Sequence, residues 1–320
     1  MSSNATCQLY PEIEPYHSDW MKIPGSSHAV YFEQCGNPDG RPVIFLHGGP
    51  GSGCNPNQRR FFDPVHYRII LMDQRGCGRS TPLGETEDNT TSHLIADLEQ
   101  LRLLLGIQRW LVFGGSWGST LALTYAIAHP EAVAGLILRG IFLSRKNELD
   151  WFLGQSELFF PEAWQTLIDY LPPDERDNPL DAYARHIFAE DTTISAPAAA
   201  RWNAYESSIM RLLPEADRSE SVPDTVQIAR ARVQIHYIRN GCFVSHRDLL
   251  TEAGKLRHIP TVIVQGRYDM VCPPLTAWQL SQAMPHAELH MVADAGHSAM
   301  EAGTCAALRA ATDRFRELSY

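Results

Sequence analysis

Three residues of the types that carry out acyl transfer stand far apart in this 320-residue chain, each beside glycine in a short turn. Ser116 lies in Gly114-Gly115-Ser116-Trp117-Gly118, Asp269 ends Gly266-Arg267-Tyr268-Asp269, and His297 ends Asp294-Ala295-Gly296-His297. A neutral serine hydroxyl is a poor nucleophile. It attacks a carbonyl when an imidazole takes its proton and a carboxylate holds that imidazole in the correct tautomer. Asp294 is a rival acid, but three residues from His297 it is badly placed to approach the ring from behind.

Such a set works only if the fold brings it together. Trp110 to Phe113 is an apolar run of strand length, and Ser119 to His129 carries small and apolar residues at helical spacing before Pro130. Strand, sharp turn and helix is the setting in which G-x-S-x-G is a nucleophile elbow. The serine backbone there is strained and its neighbours must be small, which glycine supplies. Upstream, Pro42 to His47 reads as a buried strand running into His47-Gly48-Gly49-Pro50-Gly51. The loop after this strand and the residue after the nucleophile supply the oxyanion donors in such folds. The amides of Gly49 and Trp117 are therefore the candidates, with Gly48 a competitor.

The other elements follow the same logic. Met21–Pro24 and His28–Gln34 flank a turn, Tyr67–Asp73 is a strand, and Leu94, Ile95, Leu98, Leu101, Leu104 and Leu105 mark a helix capped by Asn89 or Thr90. Asp73 and Arg75 read as structural charges tying their loop down. Val133–Arg139 restores β-α-β alternation and hence a parallel sheet. From Gly140 to about His258 the alternation stops, and aromatic helical patches are punctuated by Pro161, Pro172, Pro173, Pro179, Pro197, Pro214 and Pro223. Strands return at Thr261–Gln265 and Ala287–Val292, and a helix closes the chain from about Thr304 to Leu318. Asp269 and His297 both fall just past a strand's C-terminal end, where open parallel sheets place their sites. The order Ser, Asp, His is that of α/β hydrolases. The expected fold is α/β: a mostly parallel central sheet with helices on both faces, and a helical cap inserted before the last strands. Residues 1–140 and 259–320 form the core and 141–258 the cap.

Composition sets limits. The chain is 44% hydrophobic and 20% charged, with net charge −10 and pI near 5.7. This is ordinary globular composition. The acidic balance argues against nucleic acid and anionic membranes as partners. No apolar run approaches a membrane span, and MSSNATCQLYPEIEPY lacks the basic start and apolar core of a secretory signal. The seven cysteines, Cys7, Cys35, Cys54, Cys77, Cys242, Cys272 and Cys305, are odd in number with no C-x-x-C pair, which reads as free thiols in the cytoplasm. No cluster has metal-ligand spacing, so neither metal nor organic cofactor is expected.

With these motifs in hand, the chain resembles the proline iminopeptidases (prolyl aminopeptidases). The matching tracts are HGGPG at His47–Gly51, DQRGCGRS at Asp73–Ser80, GGSWGS at Gly114–Ser119, LRGIF at Leu138–Phe142, GRYDMVCP at Gly266–Pro273 and AGHS at Ala295–Ser298. The resemblance implies release of an N-terminal proline from small peptides. It calls for apolar walls around the pyrrolidine ring and carboxylates for the charged imino nitrogen. Trp202-Asn203-Ala204-Tyr205-Glu206 resembles the family's W-x-x-W-E tract and so implies amine binding at Glu206. Phe142 and Phe152 match the aromatic walls. In Ala231–Tyr237 the family's second glutamate is replaced by Gln234, whose amide oxygen still accepts a hydrogen bond but carries no charge. Leu153 stands where an aromatic is usual. These departures leave room for an alternative, an esterase, thioesterase or amidase acting on a specialised small molecule.

Overall fold

The computed structural model describes residues 8–213, 222–244 and 246–317. Met1–Cys7, Pro214 and Leu318 lie outside these. Eight strands form one sheet: β1 (His17–Lys22), β2 (Ala29–Gly36), β3 (Arg41–Leu46), β4 (Tyr67–Met72), β5 (Trp110–Gly115), β6 (Val133–Arg139), β7 (Thr261–Gly266) and β8 (Glu288–Val292). Their spatial order is β1-β2-β4-β3-β5-β6-β7-β8. β1 and β2 join antiparallel, and every pairing from β4 to β8 is parallel. β5, central in the sheet, is buried along its whole length. That is why it reads as an unbroken apolar run rather than an alternating one.

The helices are α1 (Thr91–Leu104), α2 (Trp117–Ala128), α3 (Lys146–Phe152), α4 (Pro161–Asp169), α5 (Pro179–Ile187), α6 (Thr192–Ser208), α7 (Asp224–Arg239), α8 (Leu249–Ala253), α9 (Pro274–Ala283) and α10 (Ala302–Phe315). Leu98, Leu121 and Leu280, from α1, α2 and α9, pack one face of the sheet. Leu308 and Phe315 of α10 pack the other. Thr90, one of the two expected caps, is the cap of α1. Helices α3 to α7 hold a core of their own, built on Phe152, Leu167, Tyr183, Trp202 and Ile235.

Three expectations need correction. Pro197, expected in a loop, lies inside α6. Burial of the adjoining Ala198, Ala199 and Trp202 offsets the backbone bond that proline removes. Helix α9, between β7 and β8, was not anticipated; Pro273 and Pro274 hid a helix start, a position proline suits. Cys305 is not a free thiol but disulfide-bonded. A disulfide needs proximity in space, which spacing along the chain does not reveal. Cys35, Cys54, Cys77, Cys242 and Cys272 are free.

The loop after β4 is tied down by charge, as its residue types suggest. Arg75 grips Asp97 of α1 through two bonds of 2.6 and 2.7 Å, and both side chains are buried. Asp73 accepts from the Cys54 amide at 2.7 Å and from Arg79 Nε at 2.7 Å. Arg75→Met would leave the Asp97 carboxylate buried without its partner. It is expected to destabilise the fold by about 3–5 kcal/mol, seen as a lower urea midpoint; an unchanged midpoint would contradict this role.

Candidate active site

Ser116 sits where β5 turns into α2, at φ 58°, ψ −129°. This is a strained conformation for a residue with a side chain. A Cβ on Gly114 would lie 2.1 Å from the Gly118 carbonyl oxygen, and one on Gly118 would lie 2.2 Å from that of Leu46. Close backbone approach therefore explains both glycines of the motif. The Ser116 amide donates to the Arg139 carbonyl at 2.8 Å, pairing the turn with β6.

Asp269 and His297 follow β7 and β8. His297 Nδ1 donates to Asp269 Oδ2 at 2.7 Å. The other carboxylate oxygen accepts from the amides of Val271 at 3.0 Å and Cys272 at 2.7 Å, and Gln265 Nε2 reaches Oδ2 at 3.1 Å. These donors fix the acid and, through it, the tautomer of His297: Nδ1 carries the proton and Nε2 is an acceptor. Asp294 is exposed.

Nε2 does not hydrogen-bond Ser116 in this structure. It accepts from Arg139 Nη1 at 3.0 Å, and the same nitrogen donates to the His297 carbonyl at 2.8 Å. Burial lowers the Arg139 pKa from its ordinary value, and its Nε has no partner among the described residues. In the sequence Arg139 stands only as a strand end within the LRGIF tract, with nothing to mark it as a neighbour of His297.

The glycine loop after β3 passes over the nucleophile. A Cβ on Gly48 would stand 3.2 Å from Ser116 Cβ and 3.8 Å from its Oγ. Gly49 has φ 110°. A closed set of bonds holds this loop to the elbow. His47 Nδ1 donates to Gly48 O at 2.9 Å, and the Gln74 amide donates to His47 Nε2 at 3.0 Å. Gln74 Nε2 donates to His47 O at 2.9 Å, and Trp117 Nε1 donates to Gln74 Oε1 at 2.8 Å. Burial lowers the His47 pKa, which keeps the ring neutral as this pattern demands. Trp117 opens α2, so its amide is one of the helix's unpaired first donors. Nothing in the sequence had singled out Gln74.

Ser116, Gly49, Phe142, Phe152, Glu206 and Gln234 line one cavity. Its volume is about 30 Å³, a small space. The polar end is fully bonded. Glu206 is buried; its Oε2 accepts from Arg230 Nη2 at 2.7 Å and its Oε1 from Gln234 Nε2 at 2.8 Å. Gln234 Oε1 accepts from Trp202 Nε1 at 2.6 Å, and its Nε2 also donates to Gly49 O at 3.3 Å. An indole only donates, so the amide oxygen must face Trp202. This corrects the expectation that the oxygen is available to a substrate amine: Gln234 is a donor that holds Glu206. Leu153 packs into the α3–α7 core. Two further lining residues were unforeseen. Glu148 accepts from Thr276 Oγ1 at 2.6 Å and from the Arg145 amide at 2.8 Å. The Cys272 thiol is pushed well above its ordinary pKa by burial and by Asp269. Among the described residues no group of three His, Cys, Asp or Glu side chains is placed to hold a metal, and no helix is long and apolar enough to cross a membrane.

The sheet order and the elbow place the chain in a known class. The model of the alpha/beta hydrolase fold matches residues 41–304. A putative aryl esterase from Burkholderia cenocepacia superposes with a TM-score of 0.64 at 18% identity, covering 94% of this chain and 98% of that one. A deep-sea metagenome α/β hydrolase, MGS-M2, gives 0.60 at 18% identity over 93% and 98%. These share the fold. Sequence likeness is narrower. A probable proline iminopeptidase of Leptolyngbya boryana is 50% identical over 311 residues, 96% of this chain and 97% of that one. The proline iminopeptidases of Arabidopsis thaliana (49%; 97% and 82% covered) and Neisseria gonorrhoeae (47%; 92% and 94%) are similar throughout. The chain belongs to the proline iminopeptidase family of α/β hydrolases.

Proposed function

We propose that this protein is a serine-type prolyl aminopeptidase that releases N-terminal proline from short peptides. The observation that carries the reading is the shared cavity: the Ser116 hydroxyl, two aromatic walls and a buried carboxylate line one small space. Near-full-length likeness to proline iminopeptidases supports it. In the mechanism, Ser116 Oγ attacks the prolyl carbonyl while its proton passes to His297 Nε2, and Asp269 stabilises the imidazolium. The amides of Gly49 and Trp117 receive the oxyanion. The tetrahedral intermediate collapses, the C–N bond breaks, and the proton leaves on the departing amine. Water, deprotonated by His297, then releases proline from Ser116.

Phe142 and Phe152 are the walls for the ring, and Glu206 takes the imino nitrogen, held in place by Gln234. The reading divides the chain into a hydrolase core (1–140 and 259–320) and a helical cap (141–258) that closes the amine end and excludes longer N-terminal extensions. The separate α3–α7 core supports that division. The five free cysteines among the described residues favour the cytoplasm, while the bonded Cys305 belongs with an oxidising setting; cell fractionation decides between them. No nucleic-acid or membrane partner is part of the reading.

One observation favours a second reading. Glu206 is already neutralised by Arg230, and Gln234 adds no charge, so the amine end has no net negative charge. An esterase or amidase for a neutral small molecule would suit such an end. A panel of unblocked prolyl, alanyl and N-acetylprolyl anilides with short-chain esters separates the two. Esterase activity without prolyl amidase activity would end the first reading. Gln234→Glu restores one negative charge and is expected to raise kcat/KM for unblocked over N-acetylated prolyl anilide by about tenfold; an unchanged ratio would remove Gln234 from amine recognition.

A further inference from the structure

A second cavity lies beside the nucleophile elbow and shares no lining residue with the cavity that holds Glu206. Its volume is 340 Å³, and Gly48, Gly115, Asn55, Gln58, Arg139 and Met300 are among its lining. Gly48 and Gly115 are also the residues that flank Ser116. A side chain at Gly48 would come within 3.8 Å of Ser116 Oγ. Gly48, which lines the cavity, therefore stands directly against the reacting serine. The lining contains one charged side chain, Arg139.

Arg139 is unusual in two ways. Its Nη1 occupies Nε2 of His297 at 3.0 Å, the lone pair that must accept the serine proton. Its Nε is buried without an acceptor. A guanidinium with spare donors seeks a carboxylate, which it can take through two parallel bonds. The residue leaving in the reaction brings one to this place. Its amine receives the proton from Nε2, so that nitrogen must come within hydrogen-bond reach of the imidazole. In a dipeptide the α-carboxylate carbon is two bonds of about 1.5 Å beyond that nitrogen. A carboxylate there falls within reach of a guanidinium that already touches Nε2.

The structure assigns this cavity, with Arg139 as its anchor, to the leaving residue of the substrate: the preferred substrate is a prolyl dipeptide with a free α-carboxylate. The inference rests on the prolyl aminopeptidase reading and adds which peptides that site takes. The carboxylate draws Arg139 from Nε2, and the freed lone pair turns to Ser116. Arg139 acts here as a specificity and positioning residue.

Wild-type kcat/KM is compared for prolyl-alanine, prolyl-alanine amide and prolyl p-nitroanilide. The dipeptide is expected to exceed its amide by about tenfold or more, in KM through the carboxylate contact and in kcat because Arg139 leaves Nε2. Free L-alanine, the leaving product, is expected to inhibit anilide hydrolysis more strongly than L-alaninamide does. Arg139→Gln should bring the dipeptide-to-amide ratio close to one, and Arg139→Lys should recover part of it. Labelling of Ser116 by a fluorophosphonate, which needs no leaving peptide, checks that each variant is folded. Should Arg139→Gln fail to fold, the wild-type ratio and the product inhibition still decide. Hydrolysis of all three substrates with no preference for the carboxylate overturns this inference and leaves the prolyl reading standing. No hydrolysis of any of them overturns both. A preference that survives in folded Arg139→Gln also overturns it.

Discussion

Ser116→Ala is expected to lower kcat on prolyl p-nitroanilide by about 10⁵- to 10⁶-fold, with unfolding unchanged. The size of the loss follows from what else lines the cavity. Cys272 is there, but its thiol is held well above its ordinary pKa by burial and so stays protonated and unreactive near neutrality. The nearby Ser119 hydroxyl is buried and donates to the Ser116 carbonyl at 2.7 Å. Neither can replace the hydroxyl raised by the elbow. The variant keeps the glycines that the backbone requires, so its fold should survive. Retention of more than about one part in a thousand of kcat would mean that another group attacks the carbonyl.

Asp269→Asn should lower kcat by about 10⁴-fold, although the side chain keeps its shape. One oxygen of Asp269 accepts from two backbone amides, and the other from His297 and Gln265. An asparagine must turn its oxygen to the amides, because its NH₂ cannot face two N–H groups. That places the NH₂ toward His297 and forces the proton from Nδ1 to Nε2. The base then carries a proton where it must accept one, and it also points that proton at Arg139. Stopped-flow or steady-state kcat, with KM nearly unchanged, is the readout. A fall of tenfold or less would remove the carboxylate from its proposed role.

The parts of this molecule that were readable in the sequence are those in which local chemistry and fold impose the same residue. Gly114 and Gly118 mark the elbow because backbone approaches within about 2 Å of where their side chains would be. β5 reads as a buried central strand because it is apolar throughout. Asp269 and His297 were found by type and by position after a strand. What was not readable depends on side chains meeting across the fold. Gln74 joins His47 to Trp117, but nothing in its own neighbourhood distinguishes it from a loop glutamine. The orientation of Gln234 is decided by Trp202, 32 residues away, and it reverses the role that its type suggested. Arg139 ends a strand and only in three dimensions meets His297. Pro197 breaks the local rule inside α6 because packing outweighs one lost backbone bond.

The central claim is that Ser116 is the hydroxyl activated by His297. A fluorophosphonate reacts with a serine only when a neighbouring base activates it, and peptide mass spectrometry locates the adduct. One adduct is expected, on the tryptic peptide that carries Ser116, formed by the wild-type protein and lost in His297→Ala. An adduct on another serine, or equal labelling after removal of His297, would contradict it.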